Sequence, residues 1–191
     1  INNIDYSSIN KNSKAYEVLT NLSSTKNNII LDFNYTASTR LILKQCGLSD
    51  EDIDNRLIKV HGEASNNDII FGVEDNAGIK KEHVFLRKAY NIKYKALNFS
   101  ELYDRIKSVA IFGHSLGETD HTYFNKLFQE SCMYNKFSTN NNKEFWLFYY
   151  KENGYHCMMQ QLDSLTHNSL TSFRQYNRVN FINTDKEKVF I

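Results

Sequence analysis

The strongest constraint on the fold of this chain is an alternation of two residue patterns. Short apolar runs at Ile29–Phe33, Leu57–Val60, Asp68–Phe71, Val109–Phe112, Glu144–Tyr150 and Val179–Ile182 are mostly separated by stretches with helical spacing. A short apolar run suits a strand buried on both faces, and a three-to-four repeat suits a helix packed along one side. After an opening helix within Ile4 to Asn21, the order reads β-α-β-β-α-β-α-β-α-β. Strands that alternate with helices pair in parallel, because the crossover between parallel strands is normally helical. The expected fold is α/β: a three-layer, Rossmann-like, mainly parallel sheet with helices on both faces.

Local signals refine that order. Ala15, Tyr16, Val18, Leu19 and Leu22 share one helix face. A second helix over Thr36–Cys46 carries Ala37, Leu41 and Ile42, and Gly47 is placed to cap it. Ser49-Asp50-Glu51-Asp52 reads as a capping box. A basic helix is expected over residues 80–95, with Val84, Phe85, Leu86, Ala89 and Tyr90 inside and Lys80, Lys81, Arg87 and Lys88 on a solvated face or at an electropositive lip. Leu102, Tyr103 and Ile106 predict a helix before the fourth strand. Tyr123, Phe124, Leu127 and Phe128 predict another, and Met159, Leu162, Leu165 and Leu170 a long one over residues 156–175.

Composition removes several classes of partner. The 191 residues fit one domain, and 23 basic against 22 acidic side chains leave a net charge of +1. That balance gives no electrostatic case for nucleic acid or an anionic membrane surface. No run approaches the roughly 18 apolar residues of a membrane span. Cys46, Cys132 and Cys157 are far apart with no Cys-x-x-Cys, which indicates reduced thiols in a cytoplasmic protein rather than a zinc ribbon. Proline is absent. Asparagine clusters fall where turns are needed, and asparagine tolerates left-handed backbone.

Three strands end in polar motifs: Phe33-Asn34-Tyr35-Thr36, His61-Gly62, and Phe112-Gly113-His114-Ser115-Leu116. The carboxyl ends of parallel strands are where ligands bind in open α/β sheets. Asn34 either caps the following helix or uses its two donors and one acceptor to hold a ribose hydroxyl or water. Imidazole is the side chain suited to take a proton from a sugar hydroxyl at neutral pH, and a glycine after His61 lets a ligand approach the backbone. Gly113-His114-Ser115-Leu116-Gly117 also fits the G-x-S-x-G nucleophile elbow, with Ser115, Asp163 and His167 in triad order. Against that, Asp163 and His167 fall within one predicted helix. His114 and His121 have no third ligand placed to complete a metal site, so no metal is expected.

Taken together, Asn34-Tyr35-Thr36, His61-Gly62, Ile69-Ile70-Phe71-Gly72 with Asp75, and Phe112-Gly113-His114-Ser115-Leu116 with Asp120 resemble the AbiH abortive-infection family of bacterial phage-defence proteins. That family is in turn similar to sirtuin-like domains, in which an Asn, a His-Gly and a Gly-x-Ser-Leu surround NAD. The resemblance implies that Asn34 and His61 are catalytic, with Asn34 orienting water or ribose and His61 acting as base. It implies NAD contacts at Tyr35, Thr36, Gly62, Gly113, His114 and Ser115; Asp120 is a further expected acceptor of a ribose hydroxyl. NAD is then the substrate, hydrolysed at the nicotinamide–ribose bond. No cysteine lies between Gly62 and Gly113, so the zinc module of sirtuin deacylases is absent, which favours hydrolysis over deacylation.

The glycine-rich first strand-turn-helix of such folds is also absent, which predicts that the first β-α unit is missing and the chain is a fragment. The alternatives are a catalytically silent nucleotide-binding or sensing module, with a homo-oligomeric or effector partner, and the serine hydrolase.

Overall fold

The computed structural model describes residues 9–25, 27–73, 77–91, 105–133 and 142–187. They fall into two compact units, Ile1–Tyr94 with Val189–Ile191 and Lys95–Lys188. The expected positions Asp75, Leu102 and Tyr103 lie outside the described residues.

The first unit is a β-α-α-β element preceded by a helix. Helix α1 (Lys14–Ser23) starts where the Ser13 hydroxyl accepts the Tyr16 N–H. Strand β1 (Ile30–Asp32) pairs in parallel with β2 (Leu57–Lys59), Asp32 opposite Lys59. Between them run α2 (Ser38–Gln45) and α3 (Asp50–Arg56).

Short-range bonds and apolar contacts fix the join between these two helices. Gly47 takes φ +89°, its N–H donates to Lys44 O at 3.0 Å, and the Leu48 N–H donates to Leu43 O at 3.2 Å. This is a Schellman motif, and Leu48 packs against the cluster that contains Leu43, the kind of apolar contact that accompanies it. Ser49 then caps α3 by accepting the Asp52 N–H. Leu48 and Ile53 join the same cluster, forming a hydrophobic staple across that cap. Leu43, Ile53 and Leu57, with Leu19, Ile30 and Leu48, make the core. Arg56 closes the far end by donating to the carbonyls of Leu22 (2.7 Å), in the last turn of α1, and Thr25 (2.9 Å), just beyond it.

Two expectations in this unit fail. Residues 68–71 do not form a strand. Ile70 N–H donates to His61 O at 3.0 Å, and the pairing that follows is one parallel bridge, Val73 with Arg87. That bridge also undoes the predicted basic helix. Leu86 O accepts from Val73, and Val73 O accepts from Lys88, so the segment forms 3₁₀ turns at Lys81–Leu86 and Lys88–Tyr90 instead. Phe85 and Leu86 are left 58% and 45% exposed, where a helix face would bury them.

The second unit is a parallel sheet in the order β3-β4-β5, with β3 at Ser108–Ile111, β4 at Glu144–Tyr149 and β5 at Arg178–Asn183. Helix α4 (His121–Ser131) buries Tyr123, Phe124, Leu127 and Phe128, as its spacing predicts. Phe128, Phe145 and Phe173 meet in a three-ring core with centroids 4.8–5.6 Å apart.

The long helix expected over residues 156–175 is two helices, α5 (Lys151–Leu165) and α6 (Leu170–Tyr176). Consecutive left-handed residues, His167 (φ +50°) and Asn168 (φ +60°), break it. Buried Asn177 joins three elements, donating to Ser131 O and Phe173 O and accepting from Lys143 N–H. Both sheets are parallel with helices around them, the α/β architecture that the alternation predicts.

Candidate functional site

Each predicted motif follows the carboxyl end of a parallel strand, two of them in the first unit and one in the second.

The loop after β1 is organised by two residues that sequence reasoning passed over. Asp32, 4% exposed, accepts the Asn34 backbone N–H (2.9 Å) and Asn34 Nδ2 (3.2 Å) on Oδ1. Its Oδ2 accepts from Lys59 Nζ at 2.9 Å. The same ammonium donates to the carbonyl oxygens of Asn34 and, at 2.7 Å, Thr36. An ammonium has three protons, and each has an acceptor here. A buried ion pair holds when its remaining hydrogen-bonding capacity is met, and this one meets that condition. Glu63 adds a second buried carboxylate 3.9 Å from Lys59. The signal was present in the sequence, since Asp32 and Lys59 are the charged residues interrupting two otherwise apolar strand runs.

Asn34 does not cap α2. The cap position is Ala37, with no side-chain bond, and the Asn34 carboxamide turns to Asp32 instead. Thr36 bonds with Ser38 through their hydroxyls at 2.9 Å.

His61, 6% exposed, is held by the residues flanking Asn34. Phe33 meets its ring edge-on at 5.4 Å and Tyr35 stacks on it at 6.0 Å. The two loops are also joined by Ala64 N–H donating to Tyr35 O at 2.8 Å. The imidazole and the Asn34 loop therefore share one end of the β1-β2 pair.

Gly62 has φ +73°, and a Cβ there would lie 2.1 Å from Asp68 O. The space its missing side chain leaves is filled by this chain's own backbone.

In the second unit, the loop after β3 turns on Gly113 (φ +65°) and the fully buried Leu116 (φ +55°). Leu116 N–H donates to His114 Nδ1 at 2.9 Å. The neutral imidazole then carries its proton on Nε2, which faces Asp120 Oδ2 at 3.4 Å. Phe124 supports the ring at 5.2 Å. The structure thus pairs His114 with Asp120 and leaves Ser115 exposed.

A nucleophile elbow strains its serine, but the left-handed residues here are its neighbours. Among the described residues no histidine hydrogen-bonds to Ser115. His167 instead bonds with Gln129 at 3.1 Å, and the Asp163 carbonyl accepts from Asn168.

Parallel strands, helical crossovers and polar loops at the carboxyl ends define a Rossmann-like α/β protein. Residues 1–147 match the family described as Bacteriophage abortive infection AbiH. The chain belongs to that family, and so to the abortive-infection proteins of antiviral defence. No curated protein and no solved structure matches it. No described helix is long and apolar enough to cross a membrane.

Proposed function

We propose that this AbiH protein acts in the cytoplasm by hydrolysing NAD at the nicotinamide–ribose bond, with Asn34 and His61 as the reacting pair. The observation that supports this most is the packing of Phe33 and Tyr35, on either side of Asn34, against the His61 ring. The likeness to sirtuin-like domains rests on the motifs alone.

With Nδ2 on Asp32, the Asn34 oxygen Oδ1 is the atom left to accept a hydrogen from water. Nicotinamide leaves with the electrons of its bond to the sugar, and the sugar becomes oxocarbenium-like. The water oxygen adds to the sugar carbon and the displaced proton passes to His61. NAD and water give nicotinamide, ADP-ribose and a proton.

Tyr35, Thr36 and Gly62 line the same loops. In the second unit, taken by itself, nothing lies within 4 Å of the Cβ position of Gly113, and the Ser115 hydroxyl is exposed. That loop suits phosphate or ribose oxygens, with His114 and Asp120 setting its shape.

The test is phage infection of cells carrying the full-length protein, with NAD measured through the infection. Asn34→Ala and His61→Ala should each preserve NAD and abolish protection. Retention of both NAD loss and protection in both variants overturns the proposal. A second reading, a nucleotide-sensing module without turnover, is favoured by the burial of His61. It predicts NAD binding by the intact protein with no release of nicotinamide.

A further inference from the structure

We infer that Asp32 and Lys59 form a positioning pair that presents the Asn34 carboxamide in one orientation, oxygen outward. The inference deepens the NAD-hydrolase reading and rests on it for its catalytic meaning. The orientation itself does not depend on that reading.

An Asn carboxamide can face either way, and the choice is set by its neighbours. Here the neighbour is a carboxylate, which only accepts, so the group facing Asp32 Oδ1 must be the amide nitrogen at 3.2 Å. The same oxygen takes the Asn34 backbone N–H at 2.9 Å, fixing the loop and its side chain from one atom. The carboxylate is in turn fixed by Lys59, its register partner on the neighbouring strand, through Oδ2 at 2.9 Å. Because Lys59 also holds the carbonyls of Asn34 and Thr36, it grips the loop from both sides of Tyr35, the residue stacked on His61. One ion pair therefore sets the carboxamide and one wall of the imidazole's packing together. Neither Asp32 nor Lys59 is assigned contact with the reacting atoms.

The test uses the full chain with ¹⁵N-labelled side-chain amides, the Asn34 pair being assigned by its disappearance in Asn34→Asp. In the wild type this pair should be ordered. In Lys59→Met its solvent exchange should rise at least tenfold. The pair from Asn177, buried in the second unit, should stay unchanged and serves as an internal control.

Asp32→Asn keeps the volume and is read in any case, including where Lys59→Met does not fold. The introduced carboxamide has one acceptor oxygen where the carboxylate had two, and the ammonium claims it. Its NH2 then opposes Asn34 Nδ2, donor against donor, and the Asn34 pair should be released. With NAD, Asp32→Asn should lower kcat at least tenfold and leave KM within twofold.

An Asn34 pair unchanged in either folded variant overturns the positioning role. Its release together with an unchanged kcat overturns the catalytic meaning. If the wild-type protein releases no nicotinamide, the NAD-hydrolase reading fails, while the amide exchange still decides the positioning.

Discussion

Replacing Gly62 by alanine should damage the first unit far more than the same change at Gly113 damages the second. Both glycines have left-handed φ, +73° and +65°. An L-residue in that region loses about 1–2 kcal/mol, so each substitution carries that much strain. The difference lies in the surroundings. At Gly113 nothing lies within 4 Å of the new Cβ, whereas at Gly62 it meets Asp68 O at 2.1 Å and Asp68 C at 2.7 Å.

Backbone at that distance must retreat by about 1.3 Å or more to reach ordinary contact. The retreat endangers Glu63 N–H to Asp68 Oδ1 (2.6 Å) and Ile70 N–H to His61 O (3.0 Å). Each is worth about 0.5–1.5 kcal/mol. Gly62→Ala should therefore cost about 2–5 kcal/mol and Gly113→Ala about 1–2.

Hydrogen exchange by mass spectrometry on peptides covering residues 57–70 reads the first directly. A loss of 3 kcal/mol corresponds to protection falling by about two orders of magnitude. The second is read by urea unfolding followed through Trp146, the single tryptophan, which sits in β4 opposite Ala110 of β3. Similar small losses at both sites would refute the steric reasoning. A stable Gly62→Ala protein that has lost NAD hydrolysis would restore the idea that this glycine makes room for a ligand.

Ser49→Ala removes the acceptor of the Asp52 N–H and should lower stability by about 1 kcal/mol, measured by hydrogen exchange in α3. Asn177→Ala strands the Ser131 and Phe173 carbonyls and the Lys143 N–H, and should lower the Trp146 unfolding free energy by about 2 kcal/mol or more. Burial holds the Cys132 thiol above its ordinary pKa, whereas Cys157 is exposed. Iodoacetamide should label Cys157 first, and Cys132 only at a higher pH. The sign for stability follows: a raised thiol pKa in the folded chain means its contribution is full below the unfolded thiol's pKa and declines as pH rises through the folded value. Equal labelling of the two cysteines across that range would contradict the burial.

The residues that revealed themselves in the sequence are those whose local chemistry agrees with the fold. Gly47 and Ser49 announce a helix end and a helix start, and they act as such because Leu43, Leu48 and Ile53 pack across the join. The apolar runs of β1 to β5 were legible for the same reason. What stayed hidden depends on partners distant in sequence. Phe85 and Leu86 stand at helical spacing from Ala89 and Tyr90, yet a bridge from Val73 to Arg87 holds the segment in another conformation. His167 and Asn168 carry no glycine or proline signal but break a helix.

At the site, Asn34 and His61 were visible as polar residues at strand ends, and the ring contacts of Phe33 and Tyr35 bring their loops together. Asp32 and Lys59 stand out in the sequence as charges within apolar strand runs, but which partner each takes depends on a separation of 27 positions that no local pattern encodes. The pairing of His114 with Asp120 was missed for a related reason: it depends on how the left-handed Leu116 folds the loop back.

The measurement that bears most directly on the central claim is nicotinamide released from NAD by the purified full-length protein, compared with Asn34→Ala and His61→Ala under the same conditions. Steady release by the wild type, falling at least a hundredfold in each variant with the fold intact by circular dichroism, is the predicted result. Release that continues at the wild-type rate in both variants would contradict the assignment of this carboxamide and imidazole to the chemistry.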